Sequence, residues 1–516
     1  MQKFLSHKWL ILSLILAVWA GRMLLTSSHF YTHDDIQVFR LNEFVECIGR
    51  GEIPCRWSTA MGKGYGYPLF NYYPPMIYVV PALIHLLGFS LITSLNLFMF
   101  LTFLLAAAGM YYLARLLTQR DDLGFLASAL YTLYPWHATN VFIRGVYGEN
   151  LAWSLAPWLL WLIYRQVKTG RFQFALPLVL AVLFLTHIIS SFILVGIAVV
   201  WIGLLGFKQW KTFLVQFFVG IGLSAFFFIP AIFEKGLVQS DTLTQGYYAY
   251  TNHFVGLKQL FIDYTWVYGA SYWGTPPEEM GFMVGHVHII LLLVSLGLCL
   301  VYVRKRSTLT LAGGLLGLSA VLLFMTHSKS VALWSLVPSL SFIQFPWRLI
   351  GWAGLPLILS LVLLISTIPR KLSYVIALVS LVCLVIYSSP FFRPRGYDSY
   401  NDSDFTAGEL TANQQVSSIY DYLPTTVKVI PEVYAQDSDY PLPVFYFPGW
   451  TARVGGEPVE IVPTDPHGFI APKSSSIPVE SLELTWRETP FRLVMDILSL
   501  VTLVGYLVYY RRTHVQ

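Results

Sequence analysis

Long apolar runs with almost no charged side chains recur along this chain and constrain its fold more than any other feature. A helix needs about 20 consecutive apolar residues to cross a bilayer. Hydrophobic residues make up 56% of the chain and charged residues only 12%, where a soluble domain carries roughly 25% charged residues. We therefore predict an all-α polytopic membrane protein. It has about twelve transmembrane helices, near residues 9–25, 94–117, 122–139, 150–165, 173–187, 189–206, 213–232, 286–303, 308–325, 346–367, 372–389 and 492–510.

Clusters of basic residues between the runs predict the orientation of the chain. Short loops rich in Lys and Arg face the cytoplasm. Lys3 and Lys8 precede the first run, Arg304-Lys305-Arg306 follows the eighth, and Arg511-Arg512 follows the last. With twelve spans, both termini are predicted to be cytoplasmic. No small-residue cleavage site follows the first run, so we interpret that run as a signal anchor. The net charge of +5 thus reflects topology and does not indicate nucleic acid as a partner.

This topology places three soluble segments outside the membrane. Two are loops, residues 26–75 and 233–285, within a transmembrane domain of residues 1–389. Residues 390–490 are rich in Pro, Ser and Asp and alternate like strands. Antiparallel strands are predicted at Val444 to Phe447, at Trp450 to Val454 before a Gly-Gly turn, at Val459 to Val462 and at Ser481 to Trp486. They predict a small extracytoplasmic β-sandwich, followed by a final helix and cytoplasmic tail in residues 491–516. Residues 74–88, broken by prolines, predict an interfacial or re-entrant helix.

Polar side chains collect at the predicted outer ends of the helices. Ion-driven transporters usually keep charged groups near the middle of the bilayer, and this chain has almost none there. The distribution predicts a site at the outer membrane interface, which suits an enzyme that takes a lipid-linked substrate. For any single residue, anchoring of a helix end is an equally good explanation. The polar residues in question are Asp34, Asp35, Arg144, Glu149, His187, His327 and Arg348.

The first outer loop holds further candidate residues. We predict that Thr32-His33-Asp34-Asp35 opens an amphipathic helix that stops at Gly49, with both carboxylates in its first turn. The competing interpretation is that these aspartates merely cap the helix. Tyr67 and Tyr73, in the Gly- and Pro-rich stretches that follow, could stack on a sugar or belong to the aromatic belt of the membrane interface.

Two cysteines of the same loop, Cys47 and Cys55, lie eight residues apart on either side of a Gly-Arg-Gly turn. An extracytoplasmic compartment permits a disulfide between them. Such a link would fix the loop close to the predicted site.

Several motifs carry a resemblance to a known family. His33-Asp34, the Gly-Tyr-Gly-Tyr-Pro stretch and the Tyr-Tyr-Pro-Pro stretch resemble those of bacterial membrane proteins labelled as 6-pyruvoyl-tetrahydropterin-synthase-related. These are similar in turn to YfhO-type proteins of the GT-C glycosyltransferase superfamily. Nothing in the chain suggests pterin chemistry. The resemblance covers nearly the whole chain and includes Arg144-Gly145 with Glu149, Leu185-Thr186-His187, Gln344-Phe345-Pro346-Trp347-Arg348 and Phe447-Pro448-Gly449-Trp450.

The resemblance implies a GT-C-like transmembrane domain and a reaction. GT-C enzymes pass a sugar from a polyprenyl-phosphate donor to an extracytoplasmic acceptor, which here would be a cell-envelope glycan, glycolipid or protein. Asp34 matches the family's aspartate, as general base on the acceptor hydroxyl or as ligand of a divalent metal at the leaving phosphate. Glu149 matches a second acidic position, and Asp35 is the alternative to Asp34. The cofactor is otherwise unknown, and no metal can be assigned from the sequence.

The remaining candidates would bind substrate. Arg144 and Arg348 suit the anionic phosphate, because the arginine fork matches phosphate geometry. His33, His187 and His327 could hydrogen-bond the phosphate or the acceptor, whereas a histidine satisfied by neighbouring helices is the alternative for the last two. Two other functions stay open at this stage: a lipid or polysaccharide flippase or transporter, and a non-catalytic envelope scaffold. The sequence identifies neither the sugar nor the acceptor.

Overall fold

The computed structural model describes residues 7–271, 280–302, 306–408, 410–417 and 419–514. Lys3, Arg304 and Lys305, used above to predict orientation, lie outside these residues. The chain divides into two compact units. Unit 1 comprises Met1–Asp35, Ile92–Gln216 and Thr244–Ser399, and unit 2 comprises Ile36–Leu91, Phe217–Leu243 and Tyr400–Gln516. The domain boundaries expected from the sequence stay a prediction.

Unit 1 is built from helices. Two of these helices, Arg306–Phe324 and the buried Leu349–Ser366, pack side by side. Ser319 Oγ donates to the carbonyl of Ala353 and Ser360 Oγ to that of Ala312, each at 2.9 Å. Such small hydroxyl side chains let two backbones approach closely within a membrane. The other α-helices are Lys8–Gly21, Leu91–Thr118, Asp121–Thr132, Pro135–Ala138, Tyr147–Thr169, Ala175–Phe184, Ile188–Leu204, Leu257–Phe261, His286–Tyr302, Val331–Leu336 and Arg370–Ser388.

Unit 2 combines helices with two small antiparallel sheets. Its α-helices are Gln37–Gly49, Leu69–Tyr72, Met76–Leu86, Ala225–Phe233, Asp402–Thr406, Thr411–Val416 and Pro490–His514, and Trp210–Leu223 begins in unit 1 and ends in unit 2. The strands are β1 (Trp450–Val454), β2 (Glu457–Val459), β3 (Ile461–Pro463), β4 (Ile470–Pro472) and β5 (Glu483–Trp486). Short 3₁₀ turns lie in both units, at Arg22–Leu24, Lys235–Leu237, Ser240–Thr244, Gly246–Tyr248, Tyr250–Asn252, Ser328–Ser330, Pro338–Ile343, Pro346–Arg348, Ala435–Asp437 and Val479–Ser481.

The strands follow the predicted order with two differences. One sheet has the order β2-β1-β5 and the other pairs β3 with β4. The predicted strand Val459 to Val462 is divided between the two sheets, and Pro458 lies in β2 at a sheet edge, where a missing backbone N–H is tolerated. The predicted strand from Val444 to Phe447 forms only an isolated bridge, between Phe445 and Phe469. Antiparallel sheets near the C-terminus are therefore confirmed, and the β-sandwich stays a prediction.

The structure confirms helices that can span a membrane, but not the predicted number of spans. Among the described residues, five helices are long and apolar enough to cross a membrane: Leu91–Thr118, Ser307–Phe324, Pro346–Ser366, Arg370–Ser388 and Pro490–Thr513. Trp210–Leu223 and Ala225–Phe233 would form a sixth, bent by 85°. The other predicted spans overlap shorter or less apolar helices, so the number twelve stays a prediction. The helix Pro346–Ser366 of unit 1 is 94% buried and therefore central in its unit. The helix Pro490–Thr513 of unit 2 is only 11% buried and therefore peripheral.

Candidate functional site

A buried cluster of one carboxylate and two guanidinium groups lies within unit 1. Arg144 donates to both carboxylate oxygens of Glu149, at 2.9 and 3.1 Å. Arg348 Nε lies 3.4 Å from Glu149 Oε2. Only 3%, 2% and 9% of Arg144, Glu149 and Arg348 are exposed. The three groups carry a formal charge of +1 in a setting where water screens charge weakly, so the cluster favours an additional anion.

Local backbone geometry places Arg144 and Glu149 face to face. Residues Thr139–Arg144 form a π-helical turn, a rare form that is frequent at functional sites. Gly145 follows with φ of +66°, and the helix Tyr147–Thr169 begins two residues later. A Cβ on Gly145 would lie 2.1 Å from Thr32 Oγ1. The turn therefore requires glycine at position 145, both for its positive φ and because a side chain there would collide with Thr32.

Aromatic rings surround the two guanidinium groups. The Arg144 guanidinium lies 4.6 Å from the ring centre of Trp347 and 5.8 Å from that of Trp136. The Arg348 guanidinium lies 4.7 Å from the ring of Phe345, which stacks on Trp347 with centroids 4.7 Å apart. These faces attract cations and exclude water. In the sequence, Phe345 and Trp347 stand out only as part of a motif, and Trp136 has no distinguishing signal because tryptophan is common throughout the chain.

The segment that carries Asp34 is held directly on this turn by its backbone. The N–H groups of His33 and Asp34 donate to the carbonyls of Ile143 and Arg144, at 2.9 and 3.0 Å. Partial desolvation and the positive charge of Arg144 lower the pKa of His33. His33 and Asp34, both predicted from the first loop, therefore lie next to Arg144, as a site at one end of the helices requires.

The prediction that Asp34 and Asp35 occupy the first turn of a helix is wrong. The helix runs from Gln37 to Gly49 and has no acidic residue in its first turn. The backbone bonds of His33 and Asp34 to residues 143–144 hold this segment as a turn. The two carboxylates therefore precede the helix, whose N-cap is Ile36, and neither occupies the capping position. The end of the helix at Gly49 is confirmed.

Asp35 belongs to a second polar cluster, which was not predicted. The ring of buried His29 contacts Asp35 Oδ1 through Nε2 at 2.9 Å and Asp398 Oδ2 through Nδ1 at 2.8 Å. His29 and Asp398 are 369 residues apart, so no local pattern signals the contact. Burial raises the pKa of Asp35. Burial alone would lower the pKa of His29, but the hydrogen bonds and charges of Asp35 and Asp398 raise it above 6.5.

The raised pKa of His29 predicts a pH-dependent contribution to stability. Protonated His29 stabilises the fold fully below pH 6.5, and this stabilisation is lost as the pH rises through the raised folded pKa. The loss of stability caused by His29→Gln should therefore be largest near about pH 6 and shrink towards about pH 9. Thermal unfolding of both proteins in detergent across this range measures the difference. A difference that does not change with pH would contradict the prediction.

The other predicted residues fall into two groups. His187 lies close to the cluster. Its side chain packs against Gly148, the residue before Glu149, where an added Cβ would lie 3.3 Å away. The His187 ring also interacts electrostatically with Arg348, Glu149 and Arg144. His187 also caps its own helix through Ser190. His327 caps a short turn by accepting from the Lys329 N–H, and within the described residues no contact joins it to the cluster.

Three predicted features of the first loop belong to unit 2. Tyr67 is fully buried, so its ring cannot stack on a sugar from solvent. Tyr73 is half-buried, and the Arg40 guanidinium lies 4.6 Å from its ring centre. Cys47 and Cys55 form the disulfide that the sequence permitted.

A resident divalent metal does not fit the described residues. No group of three or more His, Cys, Asp or Glu side chains among them is arranged to hold one. In the polar cluster beside Asp34, both ring nitrogens of His29 are already bonded to carboxylates. The described residues therefore provide no set of metal ligands.

No curated protein matches the chain. Among solved structures, the arabinofuranosyltransferase AftD from Mycobacteria is similar at a TM-score of 0.49 and 18% identity, over 76% of this chain and 27% of that one. This chain thus spans about a quarter of its length. A family model described as the 6-pyruvoyl-tetrahydropterin synthase related domain, a membrane protein, matches residues 70–394. The chain is therefore a membrane protein that belongs to the 6-pyruvoyl-tetrahydropterin synthase related family.

Proposed function

We propose that this protein is a membrane glycosyltransferase of the GT-C type. It moves a sugar from a polyprenyl-phosphate donor to a cell-envelope acceptor on the extracytoplasmic side. The observation that carries the proposal is the buried Arg144–Glu149–Arg348 cluster, which has two guanidinium groups and one carboxylate, beside a turn that presents Asp34. A cationic group next to a carboxylate is the pairing that glycosyl transfer from a phosphate requires.

The cation of the cluster would stabilise the leaving group. Glu149 neutralises one guanidinium, and its bidentate partner is Arg144. Arg348, which also donates to the Ile343 carbonyl at 2.8 Å, supplies the second positive charge. A lipid phosphate that leaves the sugar gains negative charge, and a fixed cation in a poorly solvated site lowers the energy of that transition state.

Asp34 would act on the acceptor. The acceptor hydroxyl oxygen attacks the anomeric carbon of the sugar and forms the new glycosidic bond. The bond from that carbon to the phosphate oxygen breaks, and the electron pair leaves with the polyprenyl phosphate. The hydroxyl proton passes to the Asp34 carboxylate. Asp34 is half-buried, so water can return that proton to the bulk after each transfer.

The proposal includes the finer topology predicted from the sequence. Twelve spans, cytoplasmic termini and an extracytoplasmic β-sandwich would place both Asp34 and the acceptor outside the cell. Single cysteines in place of Tyr31 or Ile53, two exposed residues of the first loop, should react with an impermeant maleimide applied from outside. Labelling only after the membrane is broken would overturn the proposed orientation.

The function itself is tested by supplying purified protein with radiolabelled polyprenyl-phosphate sugars and cell-envelope extract. Transfer of label to a cell-envelope product supports the proposal. Release of label only as free sugar, or movement of intact donor across a vesicle membrane without transfer, would overturn it in favour of hydrolysis or flipping.

Removal of Arg348 should weaken donor binding. We expect Arg348→Ala to raise the donor Kd by about tenfold or more, because one charge-assisted phosphate contact is lost. Arg348→Lys should recover part of the affinity, since it keeps the charge but not the fork. Arg348 suits the test better than Arg144, whose loss would also leave Glu149 without its bidentate partner.

Donor affinity is measured by titration of each variant with labelled polyprenyl-phosphate sugar. The matched control is Arg487→Ala, which removes an exposed arginine of unit 2 and should leave the Kd unchanged. Equal Kd values for the wild type and Arg348→Ala would remove Arg348 from the phosphate site.

A further inference from the structure

Unit 2 contains an open cavity of about 270 Å³ that the proposed reaction does not use. Its wall is formed by three segments that are distant in sequence, and the polar side chains that line it are Thr59, Lys63, Gln415, Tyr434 and Gln436. Small-molecule sites have volumes of roughly 300 to 1,000 Å³. The cavity lies just below this range and therefore suits a single small ring.

Lys63, a charged side chain that lines the cavity, already makes hydrogen bonds within the protein. The Lys63 ammonium donates to the carbonyl oxygens of Pro431 and Glu432, at 2.8 and 2.9 Å. No carboxylate side chain lines the cavity among the described residues. A free phosphate or another anion would have to compete with these carbonyl oxygens for Lys63. The cavity therefore favours a neutral ligand.

The remaining lining groups match the two faces of a sugar ring. Gln415 and Gln436 each offer an amide that can donate and accept, and no hydrogen bond to another described residue involves either amide. The half-buried ring of Tyr434 is fixed because its hydroxyl donates to the Ala412 carbonyl at 3.3 Å. An aromatic face packs against the C–H face of a sugar, and amides bind its hydroxyl groups.

The cavity is preorganised by its backbone. Lys63 has φ of +58° between Gly62 and Gly64, at +65° and +84°. A lysine in this region is uncommon and persists where the surroundings impose it. Here the Lys63 N–H donates to the Gln415 carbonyl, and its own carbonyl accepts from the Ala435 N–H, at 3.1 and 2.9 Å. These bonds hold the three wall segments together before any ligand arrives, which lowers the entropic cost of binding.

We propose that this cavity, here called the Tyr434 cavity, binds one neutral monosaccharide unit of a glycan. The Gly-Tyr-Gly-Tyr-Pro stretch contributes through the conformation of its backbone, while the sugar packs on Tyr434. The inference concerns unit 2 alone and does not rest on the transfer reaction. It holds even if the glycan is recognised without being modified.

The test is a titration of the full-length protein in lipid nanodiscs with neutral oligosaccharides of glucose, galactose, mannose, N-acetylglucosamine and arabinofuranose. Trigalacturonic acid and inorganic phosphate serve as anionic comparators. We expect saturable binding of at least one neutral oligosaccharide. Tyr434→Ala should weaken it by about tenfold and Tyr434→Phe by less than about threefold, because phenylalanine keeps the ring. Tyr420→Ala, which removes an exposed tyrosine outside the cavity, should have no effect.

Three results would overturn the proposal: no binding of any neutral oligosaccharide, binding of the anionic comparators alone, or wild-type affinity in Tyr434→Ala. If Tyr434→Ala does not fold, Gln436→Ala replaces it, because this exposed side chain makes no described hydrogen bond; unchanged affinity would count equally against the proposal. Asp34→Asn should bind the oligosaccharide like the wild type. Failure of sugar transfer is thereby separated from failure of glycan binding.

Discussion

Replacement of Asp34 by asparagine should lower the rate of sugar transfer by about 10²- to 10⁴-fold, the range that a general base contributes. Asparagine has nearly the same shape as aspartate but cannot accept the proton of the acceptor hydroxyl. The backbone of the segment should be unaffected, because its N–H bonds to the carbonyls of residues 143–144 do not involve the side chain. Single-turnover transfer from a labelled polyprenyl-phosphate sugar measures the rate directly.

Two further variants make this result specific. Asp439→Asn removes an exposed carboxylate of unit 2 and should transfer sugar at the wild-type rate. Asp35→Asn tests the alternative base. Because Asp35 contacts His29, we expect this variant to be less stable than the wild type but to transfer sugar at the wild-type rate. If Asp34→Asn transfers at the wild-type rate while Asp35→Asn does not, Asp35 replaces Asp34 as the base. Wild-type rates in both variants would eliminate the first loop from the chemistry.

Features of the fold that depend on local composition could be predicted from the sequence. The helix Leu91–Thr118 and the helix Pro490–His514 follow from apolar runs, because a long apolar run has few alternatives to a helix in lipid. The bend of 85° between Trp210–Leu223 and Ala225–Phe233 was not predicted, since both halves belong to one apolar run. Strand boundaries within residues 457–463 were also missed, because a change of sheet leaves no local pattern.

Individual residues of the candidate site could be predicted from the sequence, but the contacts between them could not. Arg144 and Glu149 are close in sequence, and the start of the helix after Gly145 brings them together. Their contact with Arg348 depends on packing of distant helices, which no sequence spacing reveals. The start of the helix at Gln37 was misplaced for a related reason: backbone bonds to a distant turn decide where it begins.

Burial itself was the quantity that sequence could not supply. Tyr67 was a candidate for stacking on a sugar and is fully buried, whereas Tyr434, which lines a cavity, carried no motif. Both lie in stretches rich in turn-forming residues. Only the folded chain separates a tyrosine that packs in a core from one whose ring is presented to a ligand.

Glu149→Gln should cause the largest loss of stability, about 3–5 kcal/mol, the cost of breaking a buried ion pair by removing one partner. The neutral amide removes the carboxylate that both Arg144 and Arg348 contact, although only 3% and 9% of these residues are exposed. Chemical unfolding of the purified protein in detergent measures the loss. Glu483→Gln, which neutralises an exposed glutamate in β5, is the matched control and should change stability by less than about 0.5 kcal/mol.

The double variant Glu149→Gln with Arg348→Met decides whether charge is the cause. Glu149→Gln alone raises the formal charge of the cluster from +1 to +2, and the additional loss of Arg348 restores +1. The double variant should therefore be less destabilised than the sum of the two single variants, by about 1–3 kcal/mol, as expected for residues in contact. Strict additivity of the two losses would mean that Glu149 and Arg348 do not interact. It would contradict an excess positive charge at the proposed phosphate site.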